Sequence, residues 1–297
     1  MNVRSAVRRI AGSAAAVAEL GSLPSAAHRP WPLPARPWVM AQTWNRLLFA
    51  HWPVARETLR PLLPPGLDLQ TFGGHAWLGI TPFVLTGLRL RAGPAIPGLS
   101  NFPEINVRTY VTAGGKPGVY FFSLDADSTL AVSAARVLYS LPYFRARADV
   151  GVDAGVVTYT SVRTDGTAQF SALYRPTGEA TRASAGSLTA WLTERYCLYA
   201  VDGRGILYRT EIHHPPWRLR PASADIRRNT MTMPLDFALP DVTPLLHFAD
   251  RLHVHVWAPE KVHSTDSIRR HVRWRSAASV AAIGGAVVLA RWARRMD

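Results

Sequence analysis

Residues 102–111, FPEINVRTYV, limit this chain more than any other stretch. Apolar and polar residues alternate there as on an extended strand, where successive side chains point to opposite faces. Ile105, Val107, Thr109 and Val111 then share one face, which reads as core. Glu104, Asn106 and Arg108 share the other, with Phe102 and Tyr110 at its ends. An acid, an amide and a guanidinium in line, framed by aromatics, is what the polar wall of a ligand pocket needs. Two readings stay open. The row lines a pocket, or Glu104 and Arg108 pair within the sheet, because a lone buried charge is prohibitive. In a pocket, Arg108 would take a carboxylate or another anion bidentately. Glu104 would be the acid/base group, its pKa raised by burial and lowered by the arginine, and Asn106 would complete the ligand-binding row.

The remainder of the central region reads as strands and turns. Residues 75–80 follow the turn Gly73-Gly74, and 119–124 are apolar on both faces, as in a fully buried strand. Residues 156–162 and 167–174 flank Asp165-Gly166, a hairpin signal. Residues 205–214 and 252–257 are further strands. Helices are few. One is expected over 129–141, capped by Asp127 or Ser128 and stopped by Pro142, one after Ser187, and one over 55–62. Many strands with turns at short intervals predict a mainly β (α+β) fold, a closed or strongly curved antiparallel sheet with a few short helices.

The net charge of +14 resembles a nucleic-acid signal until it is divided along the chain. Residues 1–39 hold five arginines against Glu19, and 261–297 hold eight basic residues against Asp266 and Asp297. The stretch 40–260 keeps only +4. A nucleic-acid surface needs a basic stripe with stacking aromatics on the folded part, so no nucleic-acid partner is expected. The one cysteine, Cys197, excludes an internal disulfide and reads as a small buried hydrophobe.

Three segments follow: an extension over 1–39, a domain over 40–260 and a basic tail over 261–297. The extension is disordered or an amphipathic helix, and Met40 is a second candidate for the true start. The proline-crowded stretch 24–37 is expected to be a linker. In the tail, 276–290 are uncharged and fenced by arginines and tryptophans. A spanning helix wants about 20 apolar residues, and this segment has fifteen. It reads as a membrane anchor or as an ordinary tail, so the expected location is cytoplasmic, with membrane association if the anchor reading holds. Nothing in the sequence specifies an oligomeric state.

His213, a candidate ligand-binding residue, and His214 are adjacent at a strand end and point to opposite faces, so they cannot easily share a metal. His253 and His255 share a face near His247, but no carboxylate or cysteine completes a metal set, so no metal is expected. Glu194 and Tyr196 lie where a helix closes into a strand, and Glu194 with Arg195 reads as a structural ion pair or as pocket residues. Arg136 and Arg145 would bring positive charge to a cavity or sit on the surface. No G-x-S-x-G motif supports a serine nucleophile.

Eight motifs in order resemble the YqjF-like bacterial family, a distant relative of acetoacetate decarboxylase. Among them are FAHWPVARETLRPLLPPGLDL at 49–69, AWLGITPF at 76–83, FPEINVRTYV at 102–111, PGVYFFSLDAD at 117–127 and LLHFADRLHVHVW at 245–257. The resemblance implies an acetoacetate decarboxylase-like antiparallel β-barrel around a cavity. The decarboxylase uses a Schiff-base lysine with a lowered pKa. Here the corresponding positions are Tyr143 and Phe144, while Lys116 sits in a turn and Lys261 lies beyond the matching region. The resemblance therefore implies a retained pocket without imine chemistry, in which Tyr143 donates a hydrogen bond or stacks. The expected function is binding of a small anionic or carbonyl ligand without a cofactor. The alternative is an acid/base enzyme, of lyase or hydrolase type, acting on a small organic acid.

Overall fold

The computed structural model of the protein describes residues 23–91, 93–95, 100–128 and 139–262. Their strands are β1 (Met40–Val54), β2 (Asp68–Leu69), β3 (Ala76–Leu90), β4 (Asn101–Ala113), β5 (Lys116–Ala126), β6 (Tyr143–Asp153) and β7 (Val156–Arg163). They continue with β8 (Gln169–Pro176), β9 (Cys197–Val201), β10 (Leu207–His213), β11 (Arg220–Asn229), β12 (Leu245–Val256) and β13 (Glu260–Lys261). Two short helices accompany them, α1 (Arg56–Leu59), extended by a 3₁₀ turn, and α2 (Leu188–Thr193), whose Ser187 hydroxyl accepts from Ala190 N–H at 3.2 Å. The helix expected over 129–141 lies almost entirely outside the described residues, as do the amphipathic reading of 1–22 and the anchor reading of 276–290. Among the described residues no helix is long and apolar enough to cross a membrane.

The sheet closes on itself. Strands β12, β1, β3, β4, β5, β9 and β10 pair in succession, and β10 returns to β12 through Ile212↔Val256 and His213↔His255. An arm of four strands, β6, β7, β8 and β11, leaves this ring at β5 and rejoins it at β12 through Arg220↔Phe248. The fold is therefore the mainly β, curved sheet expected, with one difference. The ladders β5–β6 and β5–β9 are parallel rather than antiparallel. Parallel neighbours need a long crossover, and residues 127–142 and the path from β5 round to β9 supply it.

Strand β4 is buried on both faces for a reason visible in this topology. Ile105, Val107 and Val111 pack with Val157, Tyr159 and Phe170 of the arm. Glu104, Asn106 and Arg108 therefore face the interior of the ring.

Three irregularities aim side chains into that interior. An extra residue on β1 between Asn45 and Ala50, with Arg46 at φ 51°, switches the inward row from Met40, Gln42 and Trp44 to Leu47. On β3 the bulge at Gly87 (φ 63°) switches it from Phe83 and Leu85 to Leu88 and Leu90. On β5 the unpaired Phe122 switches it from Val119 and Phe121 to Leu124. Such bulges bend a strand and re-aim its side chains. Here they curve the ring and keep its inner surface continuous.

The stretch 23–39 is not a free linker. Arg29 and Trp38 are buried. His28 Nε2 bonds the His214 carbonyl at 2.8 Å, and His213 Nε2 bonds the Pro24 carbonyl at 3.0 Å. Arg29 meets Glu211 at 2.9 Å, and Trp31 Nε1 donates to the same carboxylate at 2.8 Å. Proline fixes the path of this strap while one arginine and two tryptophans anchor it, a feature composition alone hides.

Candidate functional site

The ring encloses a cavity of about 160 Å³, similar in size to an engineered void of ~150 Å³ that admits benzene. All seven ring strands line it, through residues such as Trp44, Phe83, Phe102, Phe121, Leu198 and Ile212. Most of the wall is apolar. Polar groups converge at few points, the arrangement typical of small-molecule sites.

Glu104, Asn106 and Arg108 all reach this wall and are only 3%, 5% and 8% exposed. Glu104 and Arg108, four residues apart on an extended strand, make no ion pair. Glu104 Oε2 instead accepts a hydrogen bond of 2.9 Å from the Tyr143 hydroxyl. Burial pushes the Glu104 carboxyl up to about 8, against the opposing pull of Tyr143 and with a further push from Asp125. It is thus largely protonated at neutral pH.

Arg108 lies over aromatic faces, 5.0 Å from the Phe49 ring centroid and 6.0 Å from that of Tyr110. Tyr110 is held from behind, its hydroxyl sharing a 2.6 Å hydrogen bond with His51 Nε2. His51 is pushed well below its ordinary range by burial and by Arg108, and so stays neutral. Arg108 Nε and Asn106 Oδ1 are buried without a hydrogen-bond partner among the described residues.

The remaining site residues singled out in the sequence divide differently. Tyr143, at the start of β6, lines the cavity. Arg145, two residues on, is exposed. Glu194 accepts from the Tyr196 hydroxyl and, at 3.0 Å, from Trp217 N–H, so Glu194 and Tyr196 tie the chain behind the wall. His213 turns away toward the strap, whereas His214 reaches the cavity. Strand parity explains this, because His214 shares its face with Thr210 and Ile212, which also line the cavity. Arg136 lies outside the described residues. Among the described residues no group of three His, Cys, Asp or Glu could hold a metal. His253 Nδ1 bonds Thr43 Oγ1 at 2.9 Å, and His255 packs on Trp38.

The sequence left Arg195 open between half of an ion pair with Glu194 and a pocket residue, and Arg195 points away from Glu194. It lines the cavity at 6% exposure, with Nε donating to the Trp191 carbonyl and Nη1 to Gln70 Oε1, each at 2.6 Å. Both lysines of the chain lie off the cavity. Lys116 Nζ bonds Glu211 at 2.8 Å, and Lys261 pairs with Tyr208 at the end of the sheet.

The closed, curved sheet is similar in fold to solved structures of acetoacetate decarboxylase and of an acetoacetate decarboxylase-like enzyme. The chain aligns with acetoacetate decarboxylase from Legionella pneumophila over 83% of its own length and 95% of that chain, with a TM-score of 0.55 at 14% identity. It aligns with the enduracididine biosynthesis enzyme MppR complexed with pyruvate over 82% and 97%, with a TM-score of 0.54 at 13% identity. For an acetoacetate decarboxylase-like enzyme from Sphingomonas wittichii RW1 the shares are 81% and 99%, with a TM-score of 0.53 at 14% identity. These likenesses define the fold alone. Within that fold the chain belongs to the family DUF2071, described as an uncharacterized conserved protein, which matches residues 41–253. It is 49% identical over 225 residues to the uncharacterized protein YqjF of Bacillus subtilis, covering 75% of this chain and 93% of that protein.

Proposed function

We propose that the ring cavity binds a small anionic or carbonyl ligand through Arg108, with no imine formed to the protein. One observation carries this reading: a buried guanidinium on the cavity wall has aromatic rings for neighbours and no carboxylate within ion-pair distance among the described residues. An uncompensated buried cation is costly unless a ligand supplies the missing charge. The apolar remainder of the wall suits a ligand of few polar atoms. In MppR, which shares the fold, the bound molecule is pyruvate. Imine chemistry needs an amine in the cavity, and both lysines of this chain lie elsewhere.

The test is a thermal-shift screen of the full chain against small carboxylates, oxo acids and aldehydes. A ligand at a hundredfold excess over Kd stabilises by about 2.7 kcal/mol. The expected result is a stabilising acid whose effect disappears in a folded Arg108→Ala variant. A screen with no hit, or hits indifferent to that substitution, would overturn the reading.

A second reading has its own observation. Glu104, protonated near neutrality and steadied by Tyr143, is suited to give or take a proton across the cavity. An acid/base enzyme acting on a small organic acid would lose turnover in Glu104→Gln while still binding the acid. A ligand returned chemically unchanged after prolonged incubation with the wild-type protein leaves the binding reading alone.

A further inference from the structure

Resting on the binding reading above, we propose that Arg195 joins Arg108 in holding one ligand carboxylate, and that the body behind this carboxylate is apolar, as in a small aliphatic or aryl monocarboxylate.

The argument starts from Tyr110. Its ring, fully buried behind the wall, carries the Arg195 guanidinium 5.0 Å from its centroid and that of Arg108 at 6.0 Å. Arg195 is also stacked on Trp191 at 4.5 Å. One aromatic ring therefore gathers two like charges that would otherwise separate. Neither guanidinium has an ion-pair partner among the described residues. Burial lowers Arg195 to about 10, with Arg108 contributing to the fall, so it remains charged at neutral pH.

The hydrogen-bonding inventory points the same way. Arg195 Nη2, Arg108 Nε and the indole nitrogens of Trp44 and Trp217 are buried on cavity-lining residues without an acceptor among the described residues. Against these donors stands one unmatched acceptor of the same kind, Asn106 Oδ1. A wall so unbalanced suits a ligand head that only accepts. Trp217 belongs to the same end of the cavity as Arg108, since both pack on the Phe49 ring, at 4.9 Å and 5.0 Å. A carboxylate has about four lone-pair sites and can serve two guanidiniums at once. The rest of the wall is formed mainly by groups such as Phe83, Leu85, Phe102, Val119, Phe121 and Leu124, and its buried acid, Glu104, is already engaged by Tyr143. A ligand body that is mostly hydrocarbon suits this wall best.

The decisive experiment titrates the full chain with hexanoate, phenylacetate, their neutral amides and inorganic phosphate, following tryptophan fluorescence. Trp44 and Trp217 on the wall supply the signal. Hexanoate and phenylacetate should bind at least tenfold more tightly than their amides and than phosphate. Arg195→Gln and Arg108→Gln should each raise Kd by tenfold or more, and the double variant by less than the product of the two. In the wild-type protein the Arg195 Nε–H resonance should shift with hexanoate and stay still with hexanamide, which serves as the readout if Arg195→Gln does not fold.

Carboxylate binding that depends on Arg108 but leaves Arg195→Gln at wild-type affinity, or leaves its resonance unmoved, would overturn the shared anchor while sparing the binding reading. Tight binding of polar oxo acids with hexanoate excluded would overturn the apolar body alone. Failure of every acid in both screens would remove the binding reading itself, and this inference with it.

Discussion

Two sets of buried arginines in this protein are treated in opposite ways. Where β5 meets the arm, Arg163 gives Asp125 a bidentate pair at 2.7 and 2.8 Å and lies 3.9 Å over Phe144. On the outside of the ring, Arg29 and Lys116 converge on Glu211 at 2.9 and 2.8 Å. Inside the ring, Arg108 and Arg195 have rings, one carbonyl and an amide, while Glu104, on the same strand as Arg108, is held by a tyrosine. The fold can evidently supply carboxylates to buried arginines. It does so where the arginine joins two parts of the sheet, and withholds them where the arginine faces a space.

The largest effect should come from breaking a completed pair. Asp125→Ala leaves Arg163 buried and alone, which costs about 3–5 kcal/mol. Arg108→Ala, in the absence of ligand, removes a charge that has no counter-charge to lose, so the cost should stay within about 1.5 kcal/mol or turn into a gain. Urea unfolding of both variants decides the matter. Equal losses would make Arg108 a structural residue.

Next comes the strap. Glu211→Gln removes the negative charge shared by Arg29, Lys116 and Arg209, and we expect a loss of about 2–4 kcal/mol with chymotrypsin cutting after Trp38 in the otherwise folded protein. A chain begun at Met40 lacks Arg29, Trp31 and Trp38 and should lose stability to a similar degree. Undiminished stability in that shortened chain would reduce the strap to decoration.

A smaller, pH-dependent effect belongs to Glu104. Its carboxyl rises from an ordinary 4.5 to about 8 in the folded protein. Between those values the folded state holds a proton that the unfolded state has released. Stability from this group is therefore complete below about pH 4.5, falls as pH rises toward 8, and levels off above. Glu104→Gln, which stays neutral, should flatten that slope in thermal melts taken between pH 5 and 8. An unchanged slope would mean that Glu104 is ionised in the fold.

The paired and unpaired arginines were unequally legible in sequence. Strand alternation exposed Glu104, Asn106 and Arg108, because β4 runs without a bulge of its own and its parity survives over ten residues. The Asp165-Gly166 hairpin was equally plain, and Gly166 takes φ 76° at its turn. Strand β11 was invisible because it alternates half-buried with exposed positions and carries few apolar residues. Bulges on β1 and β3 break the period that a sequence reading depends on, so Leu47 and Leu88 could not be assigned a side. Arg195 follows α2 at a sharp turn, where neither helical nor strand period applies, and its neighbour Glu194 suggested the wrong partner. The arginine of the strap lay hidden in a proline-rich stretch whose composition says linker, and its anchoring partners Glu211 and Ile212 lie 182 and 183 residues away along the chain.

The smallest change that sharpens the contrast moves an arginine without removing it. Gly79 is the cross-strand neighbour of Arg108. A Cβ there would stand 3.1 Å from His51 Cδ2, 3.2 Å from His51 Nε2 and 3.4 Å from Arg108 Cγ. His51 is fully buried and bonded to Tyr110, so it has little room to retreat, and the Arg108 stem is the softer neighbour. In Gly79→Ala the crowding penalty, about 1–3 kcal/mol, is partly offset by the ~0.4–1 kcal/mol gained from a stiffer unfolded chain. Net stability should therefore fall by only about 1 kcal/mol. Carboxylate affinity should fall about tenfold, since a 1.4 kcal/mol loss at a displaced guanidinium is that factor. Asp125 and Arg163 lie outside this contact and their pair should be untouched. A variant that melts slightly early yet binds hexanoate as the wild type does would show that the position of Arg108 is not set by β3, and that the cavity tolerates its charge anywhere along the wall.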